Sequence, residues 1–442
     1  MQAVRFFAAV LVATMILAAP ARALTLLRDP DIEHGLRQLA APVLRAAGLS
    51  AERVDILVID APSLNAFIVD ANSIFLHSGL ILRMENAAML QSVIAHEAAH
   101  IANGHLMRRP INLRNARTAA ALGTILAGVA GAAAGSGEFA AGAAAGIQGA
   151  AMRSFFSHTR AEENAADTSG MRFMHMAGID LTGAVQVMDL FRGQESLSLT
   201  RQDAYARTHP LSRDRFRRVR ALAEAQAGKA APDPTADYWF ARAKGKLSAF
   251  QRAPKWTLAR AGETGFDDIR LMREAVAHHR RSDLGRALPA IDGAIAARPD
   301  DPYLHELRGQ ILMESRRIGA AVAAYGRAAD LAPRNALILG AYGRALLADG
   351  QVKKAAQFLE SARARDGRDV RVLRDLAQAE AQMGNRGMAS VLTAERYAMA
   401  GRLKDASIHA KRASDLLPRG SPGWQRAQDI LVAAEAAEKR RD

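Results

Sequence analysis

Ala95-His96-Glu97-Ala98-Ala99-His100-Ile101 is the stretch on which the reading of this chain turns. Two histidines stand four residues apart, a glutamate follows the first, and neither Gly nor Pro interrupts them. On a helix, positions i and i+4 share a face, so both imidazoles can reach one metal ion from adjacent turns. Glu97 then stands where a carboxylate can take a proton from water at that ion, an arrangement suited to metal-assisted hydrolysis. The plain alternative is a helix with two solvated histidines, and the apolar Leu90, Val93, Ile94 and Ile101 around the motif weigh against it. The helix is expected to begin near Asn86 and to end before Pro110, which cannot continue it.

A catalytic zinc takes three protein ligands and keeps a fourth position open. Further along, Thr159 and Glu162 have capping-box spacing and start a second helix. That helix puts Glu163 and Asp167 on one face. Glu163 is the expected third ligand, with Asp167 placed to accept a hydrogen bond from a ligand imidazole. Taken alone, two acids four apart on an Ala-rich helix read as solvated, and it is the upstream motif that changes this. His105 and His158 are rival ligands, but a continuing helix would turn His105 off the face of the pair. The elongated HExxHxxGxxH pattern fails, because Asn103 and Leu106 occupy its Gly and third His positions.

Before the motif, Val54-Asp55-Ile56-Leu57-Val58-Ile59-Asp60, Asn65 to Val69 and Ser73 to Leu76 read as strands, with Asp70-Ala71-Asn72 as a turn. A small sheet thus precedes the motif helix. The first residues combine Arg5, an apolar run from Phe6 to Ala18 and small residues ending Ala21-Arg22-Ala23, a secretory leader over 1–23. Its run is shorter than the roughly 20 residues of a membrane span, which disfavours an uncleaved anchor. The chain holds no Cys, so export brings no disulfide and no thiol-linked lipid. The formal charge of +14 falls by two, to +12, when Arg5 and Arg22 leave with a leader that has no acid. Such a surplus favours anionic partners, and for an exported protein a membrane surface ranks ahead of nucleic acid.

Residues 118–152 are Ala/Gly-rich, with Glu138 as their one acid and Arg117 and Arg153 just outside. Buried or flap-like helices, membrane-contacting helices and a true span are all open readings, and the Gly-Ser-Gly break at 135–137 favours the first. Residues 24–224 are read as one catalytic domain and 225–237 as a linker. Beyond it, a 34-residue period aligns Ala275, Gly309, Gly343 and Ala377, then Ala287, Ala321, Ala355 and Ala389. Ala294, Ala328 and Ala362 form a further column, and Pro299, Pro333 and Gly367 close the units. Small residues recur where two antiparallel helices cross closely, so 238–442 is read as an α-solenoid of tetratricopeptide type. A last unit from Arg386, with Ala394, Ala406, Ala413 and Pro418, is out of phase by half a repeat.

His96-Glu97-Ala98-Ala99-His100, the later Glu163-Asn164-Ala165-Ala166-Asp167, Thr208-His209-Pro210, Asn65-Ala66-Phe67 and Gly79-Leu80 together resemble the M48 family of zinc metallopeptidases. The resemblance implies a mainly α chain: a zincin-type α+β protease domain with a small sheet, then the helical repeats. It implies one Zn²⁺ held by His96, His100 and Glu163, with Glu97 as catalytic base. It also implies that His209 is a switchable histidine able to cap the open zinc position, and that Arg215 stands near a substrate carbonyl. On their own residues, His209 beside Pro reads as a turn and Arg215 as a solvated arginine. The function implied is a periplasmic, regulated endopeptidase for misassembled outer-membrane proteins, its repeats docked on the outer-membrane assembly machinery. Two other readings stand beside it: a repeat-based chaperone or adapter with a latent metal site, and a structural metal protein.

Overall fold

The computed structural model describes residues 25–105, 160–197, 201–228 and 230–439. The leader, the Ala/Gly-rich 118–152, His158 and Thr159 lie outside the described residues. After the short strand β1 (Leu26–Leu27), Asp29 caps helix α1 (Pro30–Ala46) by accepting from the backbone N–H groups of Asp31 and Ile32. Pro30 sits at the helix start, where its missing N–H costs nothing. Strands β2 (Asp55–Ile59), β3 (Ala66–Asp70) and β4 (Ser73–His77) follow. The expected turn between the last two forms on the Asp70 carboxylate, which accepts from Asn72 N at 2.8 Å.

The sheet order is β1-β2-β4-β3, with β2 and β4 parallel and the outer pairs antiparallel. Successive side chains point to opposite faces. Ile56, Val58, Ile68, Ile74 and Leu76 therefore enter the main core, while Leu57, Phe67 and Phe75 form a small cluster on the other face. β3 is an edge strand, its second side unpaired by any described strand.

Helix α2 (Ser78–Arg83) leads into the motif helix α3 (Ala87–Ala102). Asn86 caps α3 by accepting from Met89 N at 2.9 Å, where the sequence placed its start. The other end differs from expectation. The helix stops at Ala102, and Gly104 turns the chain at φ +66°, a conformation glycine adopts without strain. Helices α4 (Arg160–Met176), α5 (Thr182–Leu190), α6 (Ala204–Thr208) and α7 (Arg213–Gln226) complete this part. At the start of α5, a Cβ on Gly183 would stand 2.5 Å from the Ala88 carbonyl, so only glycine lets α5 approach the backbone of α3.

Helix α8 (Pro234–Gln251) begins inside the stretch read as linker and packs along α1. Helix α9 (Pro254–Ala259) is too short for a full repeat partner, which accounts for the blurred period over 238–266. The array then runs as α10 (Asp267–His279), α11 (Leu284–Ala297), α12 (Pro302–Glu314), α13 (Ile318–Leu331), α14 (Ala336–Ala348), α15 (Val352–Arg365), α16 (Val370–Gln382), α17 (Arg386–Met399), α18 (Leu403–Leu416) and α19 (Pro422–Glu438).

The small-residue columns lie at helix crossings. Ala287, Ala321 and Ala355 are fully buried, and a Cβ on Gly343 would meet Leu359 at 2.6 Å. At α17 the register changes. Gly387, Ser390, Val391 and Ala394 are buried there, two positions earlier along the helix than Ala321, Ala324, Tyr325 and Ala328 on α13. Ala389, which continues the alanine column, is only half-buried.

The array is tied to the first domain through buried charge. Arg242 on α8 donates to Asp31 of α1 at 2.7 Å and to Asp301, the cap of α12, at 2.9 Å. Lys246, one turn on, lies 3.0 Å from Asp29. Arg28 reaches Asp366 at 2.6 Å, across 338 residues of chain.

Candidate metal centre

Helix α3 carries His96 and His100 on adjacent turns of its buried face, with Nε2 atoms 3.1 Å apart. Such a separation between two ring nitrogens requires something positive between them, a proton or a metal ion. Helix α4 supplies Glu163, whose Oε1 lies 3.3 Å from His100 Nε2 and whose Oε2 lies 3.5 Å from His96 Nε2. The segment after α6 supplies His209, with Nδ1 3.0 Å from Glu163 Oε1 and 3.2 Å from His96 Nε2. One ligand atom from each of these four residues lies within 4.8 Å of every other, and all four side chains are buried.

The second layer orients the first. His96 Nδ1 lies 3.1 Å from Asp167 Oδ1. A proton held on that nitrogen leaves the Nε2 lone pair facing the centre. Arg215 fixes the acids in turn: its Nε and Nη2 grip Asp167 at 2.7 and 2.8 Å, and Nη1 lies 2.7 Å from Glu163 Oε2. Nη1 also donates to the Pro210 carbonyl at 2.8 Å. The resemblance suggested Arg215 beside a substrate carbonyl. The structure places its guanidinium, 3% exposed, against two carboxylates and a backbone oxygen.

Burial disfavours charge throughout, and the carboxylates decide where it survives. Burial opposes a cationic His96, but Glu163 and Asp167 outweigh it and lift that imidazole to about 10, so a metal ion bound there would displace the Nε2 proton. Burial drives His100 down to about 3. Glu163 is held well below the ordinary range because the charges of His209 and His96 overcome its own burial. Glu97 behaves oppositely: burial pushes its carboxyl up against the pull of His209 and His96. Neither Glu97 oxygen has a hydrogen bond, although His209 Nε2 lies 3.3 Å from Oε1. Buried orphan oxygens beside converging imidazoles fit a cation-centred site better than a neutral core.

His105 is the residue the spacing argument missed. It is buried, and its Nδ1 lies 2.8 Å from His100 Nδ1. A helix continued to 110 would have carried it away, whereas the stop at Ala102 and the turn at Gly104 bring it back to the second ligand. Asn103-Gly104, a common helix-ending pair, was the signal available.

His209 also joins the centre to the sheet, its Nε2 lying 3.3 Å from the Ala66 carbonyl on β3. Thr208 Oγ1, beside it, donates to Asn65 Oδ1 at 3.3 Å. The Asn65-Ala66-Phe67 and Thr208-His209-Pro210 motifs thus meet in one place.

With this geometry His96, His100, Glu163 and His209 could hold a metal ion, and residues 27–223 match Peptidase family M48. The chain carries an M48 metallopeptidase domain, and residues 312–379 match the tetratricopeptide repeat. Among individual proteins, the beta-barrel assembly-enhancing protease of Escherichia coli (strain K12) is 26% identical over 411 residues, 90% of this chain and 81% of that one. The mitochondrial metalloendopeptidase OMA1 of Schizosaccharomyces pombe is 26% identical over 207 residues, 45% of this chain and 55% of its own. The solved structure "MamA MSR-1 C2" is 18% identical, covering 39% of this chain and 97% of its own at a TM-score of 0.29.

Proposed function

We propose that this chain is a zinc endopeptidase of the bacterial periplasm that degrades misassembled outer-membrane proteins and is kept latent by His209. The observation that carries the reading is the buried convergence of His96, His100 and Glu163 beside a Glu97 whose oxygens have no hydrogen bond. Two nitrogens and one oxygen suit zinc. The periplasmic setting and the substrate class rest on the leader-like first residues and on the likeness to a protein named for beta-barrel assembly. The repeats, as protein-binding modules, would bring the chain to the outer-membrane assembly machinery.

When bound, zinc would acidify a water molecule and polarise the scissile carbonyl. His96, His100 and Glu163 would hold it, with Asp167 and Arg215 keeping His96 and Glu163 in their orientations. Glu97 accepts the proton of the attacking water and returns it to the leaving amine, a transfer favoured by the raised affinity of its buried carboxyl for a proton. An extended substrate adds to the outer edge of β3, which no described strand covers, where backbone hydrogen bonds bind without regard to sequence. The Ala66 carbonyl and His209 mark the end of that edge nearest the centre.

Zinc is tested by loading. Purified mature chain is expected to contain about one zinc per molecule, lose casein cleavage on chelation and regain it with zinc. Cleavage that persists in the chelated, metal-free protein would overturn the reading. For latency, His209→Ala removes a ring lying within 3.3 Å of His96, Glu97 and Glu163. Casein turnover is expected to rise several-fold in this variant with zinc content unchanged; a fall would make His209 a working part of the site rather than a cap. The adapter reading draws on the same crowding by His209, and it predicts that assembly support in cells survives Glu97→Gln.

A further inference from the structure

The register change at α17 has opened a cleft of about 760 Å³ between α16, α17 and α18, within the size range of ligand-binding clefts. Its floor is made of small side chains: Ala377, Ala381, Ala389, Ser390 and Thr393. In earlier units the residue equivalent to Ala389 is fully buried, whereas Ala389 is half-buried, so the floor opens at this position where the helix has rolled.

The walls are cationic. Arg374, Arg386, Arg396 and Arg412 line the cleft together with His409, and Asp415 is its only acid. Arg374 is paired to Asp375 at 2.8 Å, and Arg396 lies over the Tyr397 ring. Arg386 and Arg412 have no carboxylate within 4 Å among the described residues and are exposed. His409 is held below its ordinary value by burial and then by Arg412, as a positive neighbourhood requires. The walls come from three successive helices, and each contributes residues at i, i+3 or i+4 spacing, so the charges face one slot rather than scattering over a convex surface.

We propose that this cleft is a docking site for an extended acidic segment of a partner protein. Arginine forks match carboxylates in two-point contact, and the Ala, Ser and Thr floor leaves room for a backbone between them. The charges rim a cleft between three helices, which an extended peptide can enter and a flat bilayer cannot, so a peptide is the better-fitting occupant. The proposal is independent of the metal site, and peptidase activity is read separately.

The test is fluorescence anisotropy with a labelled peptide of alternating Glu and Ser, titrated with the full chain. Arg386→Glu combined with Arg412→Glu is expected to weaken binding by about tenfold or more, with casein cleavage unchanged. A charge-matched control, Arg316→Glu with Arg317→Glu, reverses two exposed arginines between α12 and α13. It is expected to leave binding within about twofold, the modest loss that a change in net charge brings through screened long-range attraction. Equal loss in both pairs would show attraction to overall charge and overturn the cleft. Absence of peptide binding, with phosphatidylglycerol vesicles captured by the parent chain and released by the cleft pair, would overturn it in favour of a lipid surface.

Discussion

Glu97→Gln is expected to reduce casein cleavage by about a thousandfold, the middle of the range for losing a positioned acid–base group, while zinc content stays at the parent level. Glutamine keeps the shape of the side chain but cannot accept the water's proton. Metal is expected to remain because the converging donors are His96, His100, Glu163 and His209, and Glu97 is not among them. The fold should tolerate the change as well. Glu97 is fully buried and its oxygens have no hydrogen bond, so neutralising it removes a desolvation cost that outweighs the attraction of His209 and His96. The thermal midpoint is therefore expected to hold or rise. Single-turnover cleavage, zinc by atomic absorption and a melting curve read the three parts separately. Cleavage at the parent rate would remove Glu97 from the mechanism, and lost zinc would make it a ligand.

Arg242→Met is expected to cost about 3–5 kcal/mol, the usual loss when one member of a buried ion pair is removed. Arg242 is 1% exposed and holds two acids from different parts of the chain, Asp31 on α1 and Asp301 at the start of α12. Burial alone would raise the Asp31 carboxyl, and it is Arg242, then Lys246, that keeps it below the ordinary range. Methionine fills much of the space but leaves Asp301 without its fork and Asp31 with Lys246 at 3.6 Å as its remaining cation. The loss falls where the peptidase domain and the array meet, so urea unfolding is expected to separate into two transitions. Arg242→Lys, which keeps the charge but not the two-point geometry, should fall between. An unchanged single transition in Arg242→Met would show that apolar contact along α1 and α8, not charge, holds the two parts together.

The features legible in the sequence are those written in short-range periods. The i, i+4 pair of histidines, the Asn86 cap, the alternation in β2 to β4 and the 34-residue columns depend on neighbours a few positions apart, where backbone geometry alone decides which side chains share a face. The same rule put Glu163 and Asp167 on one face of a second helix, and the packing of α4 on α3 brought that face to the histidines. The end of α3 was misjudged because Pro110 was read as its stop, while the earlier Asn103-Gly104 had already closed it.

By itself, then, the sequence determined a mainly α chain with a helix carrying two histidines at metal-ligand spacing, a small sheet before it and a helical array after it. The tertiary structure alone decided what stands around that helix. His209 reaches His96 from 113 residues away, Arg215 grips Asp167 from 48, and Arg242 joins Asp31 to the array from 211. No local period connects such positions. Their pairing follows from burial, because a charge removed from water is stable only where the packed chain brings it a partner.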